Sequence, residues 1–208
     1  MLSMFVGIVG ICTITIQSLV LAVIPFEDNP QFFIHQRTSY VTDLNDGLIV
    51  LRQTSGPLLH PATPCQALRK IEPAGINAFR YQVYYTKPFP PHAITSFATT
   101  ITTSITALHR HSNVIIYQTM EGGPFTPFKV MYAHVPSGCF IFVYNLREYG
   151  RACRLLRRAR RASDRVPQHC WQVYRGNCPQ NDLQIYMKHC ARAISHMNLQ
   201  HLRTQQSL

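Results

Sequence analysis

Acid is scarce in this chain. Its 208 residues hold nine Asp and Glu against twenty Lys and Arg, and between Glu72 and Glu148 the one carboxylate is Glu121. Nothing resembles the carboxylate pair of a glycoside hydrolase, and neither a nucleophile elbow nor a Gly-rich phosphate loop occurs. The parts of an enzyme are missing, so no catalytic residue and no cofactor are expected. No Cys-x-x-Cys step occurs. His109 and His111 would share a strand face, and His169-Cys170 and His189-Cys190 put imidazole beside sulfur, but a zinc site needs closer ligand pairs, and disulfides account better for the cysteines. No metal is expected. The chain has no Asn-x-Ser/Thr acceptor, which excludes N-glycosylation.

Charge is also missing from the start of the chain, where the first charged side chain is Glu27 and Leu2 to Ile24 is apolar apart from a few Ser, Thr, Gln and Gly. This stretch reads as a signal peptide over residues 1–22, with cleavage after Ala22 satisfying the small-residue rule at Ala22 and Val20. The alternative is an uncleaved membrane anchor, since about 20 apolar residues span a bilayer. Of the seven cysteines, Cys12 falls within the leader, and Cys65, Cys139, Cys153, Cys170, Cys178 and Cys190 remain as an even set. Oxidised cysteines belong outside the cell, so leader and cysteines together predict a secreted, extracellular protein. Residues 23–197 suit one domain, read as a monomer, and the polar stretch 198–208 reads as a frayed tail.

The basic excess is concentrated. The formal net charge is +11, and Arg147 to Arg165 contributes eight arginines: Arg147, Arg151, Arg154, Arg157, Arg158, Arg160, Arg161 and Arg165. A secreted protein does not ordinarily meet nucleic acid. Arg151, Arg154, Arg157, Arg158, Arg160 and Arg161 therefore form a candidate surface for sulfated glycans or cell surfaces, against the plainer reading of a solvated hairpin.

Between leader and arginines the periodicity is two. Phe79, Tyr81, Val83 and Tyr85 fall on one face of a strand, and Arg80, Gln82 and Tyr84 on the other. Further strands are expected at Leu48 to Thr54, Gln66 to Ile71, Thr99 to Leu108, Val114 to Met120, Phe128 to Ala133 and Cys139 to Tyr144, each rich in β-branched or aromatic residues. Turn residues separate them, among them Asn45-Asp46-Gly47, Pro73-Ala74-Gly75, Gly122-Gly123-Pro124 and Pro136-Ser137-Gly138. Many short strands at near-regular spacing indicate an all-β barrel or sandwich. The arginine segment fits either a helix or, at Cys153 to Leu156, a last strand. Beyond Pro167 a helix is expected over Gln168 to Arg175, stopped by Gly176, and then a short strand or turn at Leu183 to Met187.

The order Tyr132-x6-Cys139, Cys153-x-Leu155, Val166-Pro167-x2-Cys170-x3-Tyr174-x3-Cys178 and Ile185-Tyr186-x3-Cys190 resembles the second half of tick salivary lipocalins of the histamine-binding type. Cys65 before the Phe79-x-Tyr81 strand fits the first half. The resemblance implies an eight-stranded antiparallel lipocalin barrel with a carboxyl-terminal helix, stapled by Cys65–Cys190, Cys139–Cys170 and Cys153–Cys178. It also implies a cavity that sequesters a small host mediator during feeding, such as histamine, serotonin or a leukotriene.

The residues qualify which mediator. A protonated amine in a low-dielectric barrel needs a carboxylate. The family's amine binders carry an acidic residue after the cysteine matching Cys139 and a Glu-Leu-aromatic step after the one matching Cys153. Here Phe140 and Arg154-Leu155-Leu156 stand instead, leaving Glu121 as the one acidic candidate. Arg52, Arg80, Lys87, Arg110 and Lys129 lie in or beside predicted strands, where one or two could clamp the carboxylate of a fatty acid or leukotriene. Tyr81, Tyr85, Phe97, Tyr117 and Phe142 are candidates for the apolar wall. Two other readings stay open: a macromolecular binder acting through the arginine segment with its cavity filled by side chains, and a chain that has lost ligand binding and persists as a scaffold.

Overall fold

The alternation in Ala78–Thr86 is realised as one strand of a closed sheet. The computed structural model describes residues 24–194 save 62, 88, 91, 92, 191 and 193, so the expected leader and polar tail lie outside the described residues. Eight antiparallel strands make the barrel: β1 (Leu48–Thr54), β2 (Ala67–Gly75), β3 (Ala78–Thr86), β4 (Ile94–Ser104), β5 (Val114–Gln118), β6 (Phe125–His134), β7 (Cys139–Leu146) and β8 (Gly150–Arg158). From β2 each strand pairs with the next, β8 returns to β1, and Leu48 and Ile49 of β1 pair with Leu68 and Ala67 of β2 to close the ring. Closure shortens the exposed edges an open sheet would carry. A short β9 (Asp182–Gln184) pairs with the far end of β1.

Two faces of the sheet bury two different sets of side chains. Inward point Leu48, Val50, Leu68, Tyr81, Ile101, Ile115, Tyr117, Phe128, Val130, Phe140, Phe142, Tyr144 and Leu156, which form one continuous core. Each large apolar side chain so buried contributes about 1.5–3 kcal/mol. Outward on one side point Ile49, Leu51, Met131, Ile141, Val143 and Leu155, packed with Cys170 and Tyr174 of helix α2 (Gln168–Asn177) at helical spacing and with Cys178 just past its end. The Cys139–Cys170 and Cys153–Cys178 bridges fix α2 to β7 and β8, and Cys65–Cys190 ties the start of β2 to the last turn; these are the pairs the resemblance implies. A one-turn helix α1 (Ser39–Thr42) closes one end with Val41 and Leu44.

Local departures from the sequence reading have physical causes. The arginine segment resolves as strand β8, since Ala152, Arg154 and Leu156 point in while Cys153, Leu155 and Arg157 point out. Strand β2 runs through Pro73 and Ala74, where a break was expected, and the turn falls at Ile76-Asn77. Pro73 is tolerated because β1 pairs with β2 only at its first two residues, leaving the rest an edge. Strand β4 begins at Ile94 rather than Thr99 and ends at Ser104. In its Thr-rich run Thr100 and Thr102 are exposed, whereas Thr99 is buried, opposite Tyr81. Gly176 does not stop α2, which ends at Asn177.

Candidate functional site

Lining and lid define the site. At mid-barrel Arg154 of β8 points inward and is 1% exposed. Its Nη1 donates to the Tyr117 hydroxyl at 2.7 Å, and its Nη2 to Gln66 Oε1 at 2.5 Å. Its Nε is buried with no hydrogen-bond partner, and among the described residues Arg154 forms no ion pair. Burial pushes the Tyr117 phenol up, against the opposing pull of Arg154, so the ring stays a neutral partner. Around this cation stand aromatic rings, with Tyr117 and Phe128 centroids 5.2 Å apart, Phe128 and Phe142 6.4 Å, and Phe128 and Tyr144 5.9 Å.

The end away from α1 is covered by the β1–β2 loop. Leu59 inserts into the core, and the Leu58 carbonyl accepts from the Thr119 and Thr126 hydroxyls. The His60 N–H donates to Thr119 Oγ1 at 2.9 Å. The loop lies close against the rim because Gly56 has no side chain: a Cβ there would fall 2.9 Å from Ala152 Cβ and closer still to the Tyr144 hydroxyl. His60 is buried with its ring 4.5 Å from Tyr85, and Tyr85 in turn meets Phe97 at 6.0 Å. His60 Nδ1 sits 2.7 Å from the Pro61 carbonyl, which can only accept, so Nδ1 carries the proton and Nε2 keeps its lone pair. Burial lowers the His60 pKa, the Pro61 hydrogen bond opposes that, and Arg154 lowers it further.

The sequence candidates divide cleanly. Tyr81, Tyr117 and Phe142 line the main interior, and Tyr85 and Phe97 lie under the lid. Glu121 is exposed at the rim, where its carboxylate accepts from the Tyr85 hydroxyl at 3.5 Å. Arg52 and Arg80 are not in the barrel. Arg52 lies outside, bonded to Asp182 and against the Trp171 ring, and Arg80 faces solvent beside Glu72. Lys129 is held by Asp28 at 2.6 Å, and Arg110 is exposed in the β4–β5 loop.

The six candidate arginines do not all lie on one surface. Arg154 is inside, and Arg157 is 1% exposed on the other face, donating to the Arg165 carbonyl. Arg151 is paired with Glu27, and Arg158 and Arg160 share Asp46. Arg161 is left exposed without an ion pair among the described residues. Two buried arginines cannot meet a glycan, so the charge available to a polyanion is far below the count in the sequence.

Sequence reasoning missed His60, Gln66 and Arg154 as one cluster. No local signal marked Arg154, because arginine and leucine stand on both faces of β8; His60 lies in a loop with no periodicity to read, and Gln66, read as the start of a strand, falls just before β2. Among the described residues Cys65, His189 and Cys190 come together, but both sulfurs are in the disulfide and leave a single imidazole for a metal. Grooves open on the outside of the barrel among the described residues, one of about 680 Å³ beside Trp171 and Pro167.

A family model described as tick histamine binding protein matches residues 56–192. No curated protein matches the chain by sequence. Among solved structures, Japanin from Rhipicephalus appendiculatus bound to cholesterol is similar in fold, with a TM-score of 0.51 and 13% identity over 69% of this chain and 93% of that one. The AM182 serotonin complex aligns at a TM-score of 0.48 and 13% identity over 70% and 85%. Lobster apocrustacyanin A1 aligns at 0.48 and 9% over 73% and 79%.

Proposed function

This chain belongs to the tick histamine binding protein family, and we propose that it is a secreted carrier whose barrel takes up a small anionic host mediator of the fatty-acid or leukotriene class. Arg154 carries the reading. A buried guanidinium without a carboxylate is costly, and an anion delivered by a ligand offsets that cost. Two of its N–H donors are engaged by Tyr117 and Gln66, and the free Nε edge presents the fork that suits a carboxylate. Tyr117, Phe128 and Phe142 supply apolar wall for the rest of such a molecule. Leu59 stands in the core beneath the loop, so uptake requires the lid from Gly56 to Pro61 to withdraw it. A biogenic amine fits less well, because Arg154 would repel it and Glu121 sits outside the lid.

Titration calorimetry of the oxidised protein against arachidonate, a leukotriene, histamine and serotonin, at low and high salt, tests this. Acid binding that hardly changes with salt is expected, since a buried contact is poorly screened. Amine binding without acid binding would overturn it.

A further inference from the structure

The barrel end closed by α1 carries a different chemistry. The β2–β3 turn and the β4–β5 loop meet there, since Ala78 pairs with Thr102 and the Thr103 N–H donates to the Asn77 carbonyl at 2.9 Å. Ile76 at that turn, Ile105 and Leu108 in that loop, and Ile34 on the neighbouring turn Pro30–His35 are between 52% and 95% exposed. Leu108 is held at φ +73°, a conformation that suits Gly or Asn, so an aliphatic side chain occupies a tip that local preference would give to another residue.

Ile34 and Leu108 border a pocket of about 540 Å³ whose other walls include Arg37, Arg110 and His111, with no acidic residue among its lining. Arg37 Nε is buried without a hydrogen-bond partner, and Arg110 forms no ion pair among the described residues. The two walls are tied together by the Thr38 N–H to the Ser112 carbonyl at 2.8 Å and by Gln36 Oε1 to His109 Nε2 at 2.9 Å. Single exposed aliphatics are ordinary on any protein. Four at one end, two of them bordering a basic pocket with no acidic residue in its lining, are a pattern.

We propose that this end of the barrel docks on an anionic phospholipid bilayer. The aliphatic tips enter the boundary between headgroups and acyl chains, and Arg37 and Arg110 take the lipid phosphate. Separate tips on separate loops suit a fluid interface, and basic side chains among them match its negative surface potential. The Arg80–Glu72 pair nearby adds no net charge. The lid over the barrel lies at the opposite end, so a docked protein keeps its mouth toward solution.

Flotation of the oxidised protein with phosphatidylcholine vesicles, with and without phosphatidylserine, tests the proposal. Association that depends on phosphatidylserine is expected. Leu108→Asn, which suits the backbone at that position, combined with Ile105→Ser, and separately Arg37→Gln with Arg110→Gln, each reduce it about tenfold. The melting temperature and ligand uptake by the barrel stay unchanged. Wild-type protein that stays in the soluble fraction, or both variants floating like wild type, would overturn the proposal. So would tight binding of inorganic phosphate without flotation.

Discussion

Arg154 and Tyr117 meet across the barrel interior, the guanidinium of β8 donating to the phenol of β5 at 2.7 Å. The pair joins two strands on opposite arcs of the ring, and it places a positive charge where an apolar side chain would pack at lower cost. Arg154→Met removes the cost of an unpaired buried charge but leaves the Tyr117 hydroxyl and Gln66 Oε1 without their donor, and two opposing effects of about 1–3 kcal/mol largely cancel. The variant is therefore expected to stay within about 2 kcal/mol of the wild type in urea unfolding while binding arachidonate about ten- to a hundredfold more weakly. A structural role alone predicts a larger loss in urea with unchanged affinity, so the two measurements separate the possibilities.

Arg80 stands in the clearest strand of the sequence, which made it a candidate clamp, yet its side chain is more than half exposed and 3.6 Å from Glu72. Exposed pairs of this kind contribute about 0–1 kcal/mol. Arg80→Ala should leave acid binding unchanged in calorimetry and shift stability by no more than about 1 kcal/mol. A large loss of affinity would mean that β3 faces the opposite way.

Strand alternation is a local signal, and it was legible wherever one face is apolar and the other polar. Phe79, Tyr81, Val83 and Tyr85 announce their inward face, and Leu48 to Thr54 gives β1 with its bounds. In β8 both faces are buried, one by the barrel and one by α2, and each carries both arginine and leucine, so no polar face marks the period. Sign of charge misled as well. Nothing in a run of arginines tells which point inward until the disulfide partners of Cys153 and Cys139 fix the outer face. His60 was beyond reach because its position depends on how a loop folds back over the rim, and the strand expected from Gln66 gave no sign that this amide would join Arg154 to that loop.

Gly56 is the contact on which that loop closes. A methyl group there meets Ala152 Cβ at 2.9 Å, and Ala152 sits in a strand that cannot retreat. Gly56→Ala is expected to cost about 1–3 kcal/mol in thermal unfolding, as overpacking does. It should also hold the lid partly open, raising both association and dissociation rates of a fluorescent fatty acid in stopped flow. Unchanged rates with lowered stability would show that ligands do not pass beneath this loop.

His60 couples the lid to pH. Its folded pKa lies below the ordinary 6.5, chiefly through burial, and burial lowers His109 and His134 likewise. As pH falls through 6.5 the unfolded chain takes up protons that the folded one refuses. Stability is therefore held above that pH and declines below it, and urea midpoints should fall on acidification. Binding should move the other way. A carboxylate held by Arg154 offsets the repulsion that Arg154 exerts on His60 and adds an attraction, so the bound state favours protonated His60. Ligand uptake then draws in a proton, and affinity for a fatty acid rises as pH is lowered from about 8 to about 6, where the acid itself remains ionised. Calorimetry in two buffers of different ionisation enthalpy measures that proton directly. His60→Gln should abolish its uptake and flatten the pH profile, whereas a profile that stays steep in this variant would place the responsive group elsewhere.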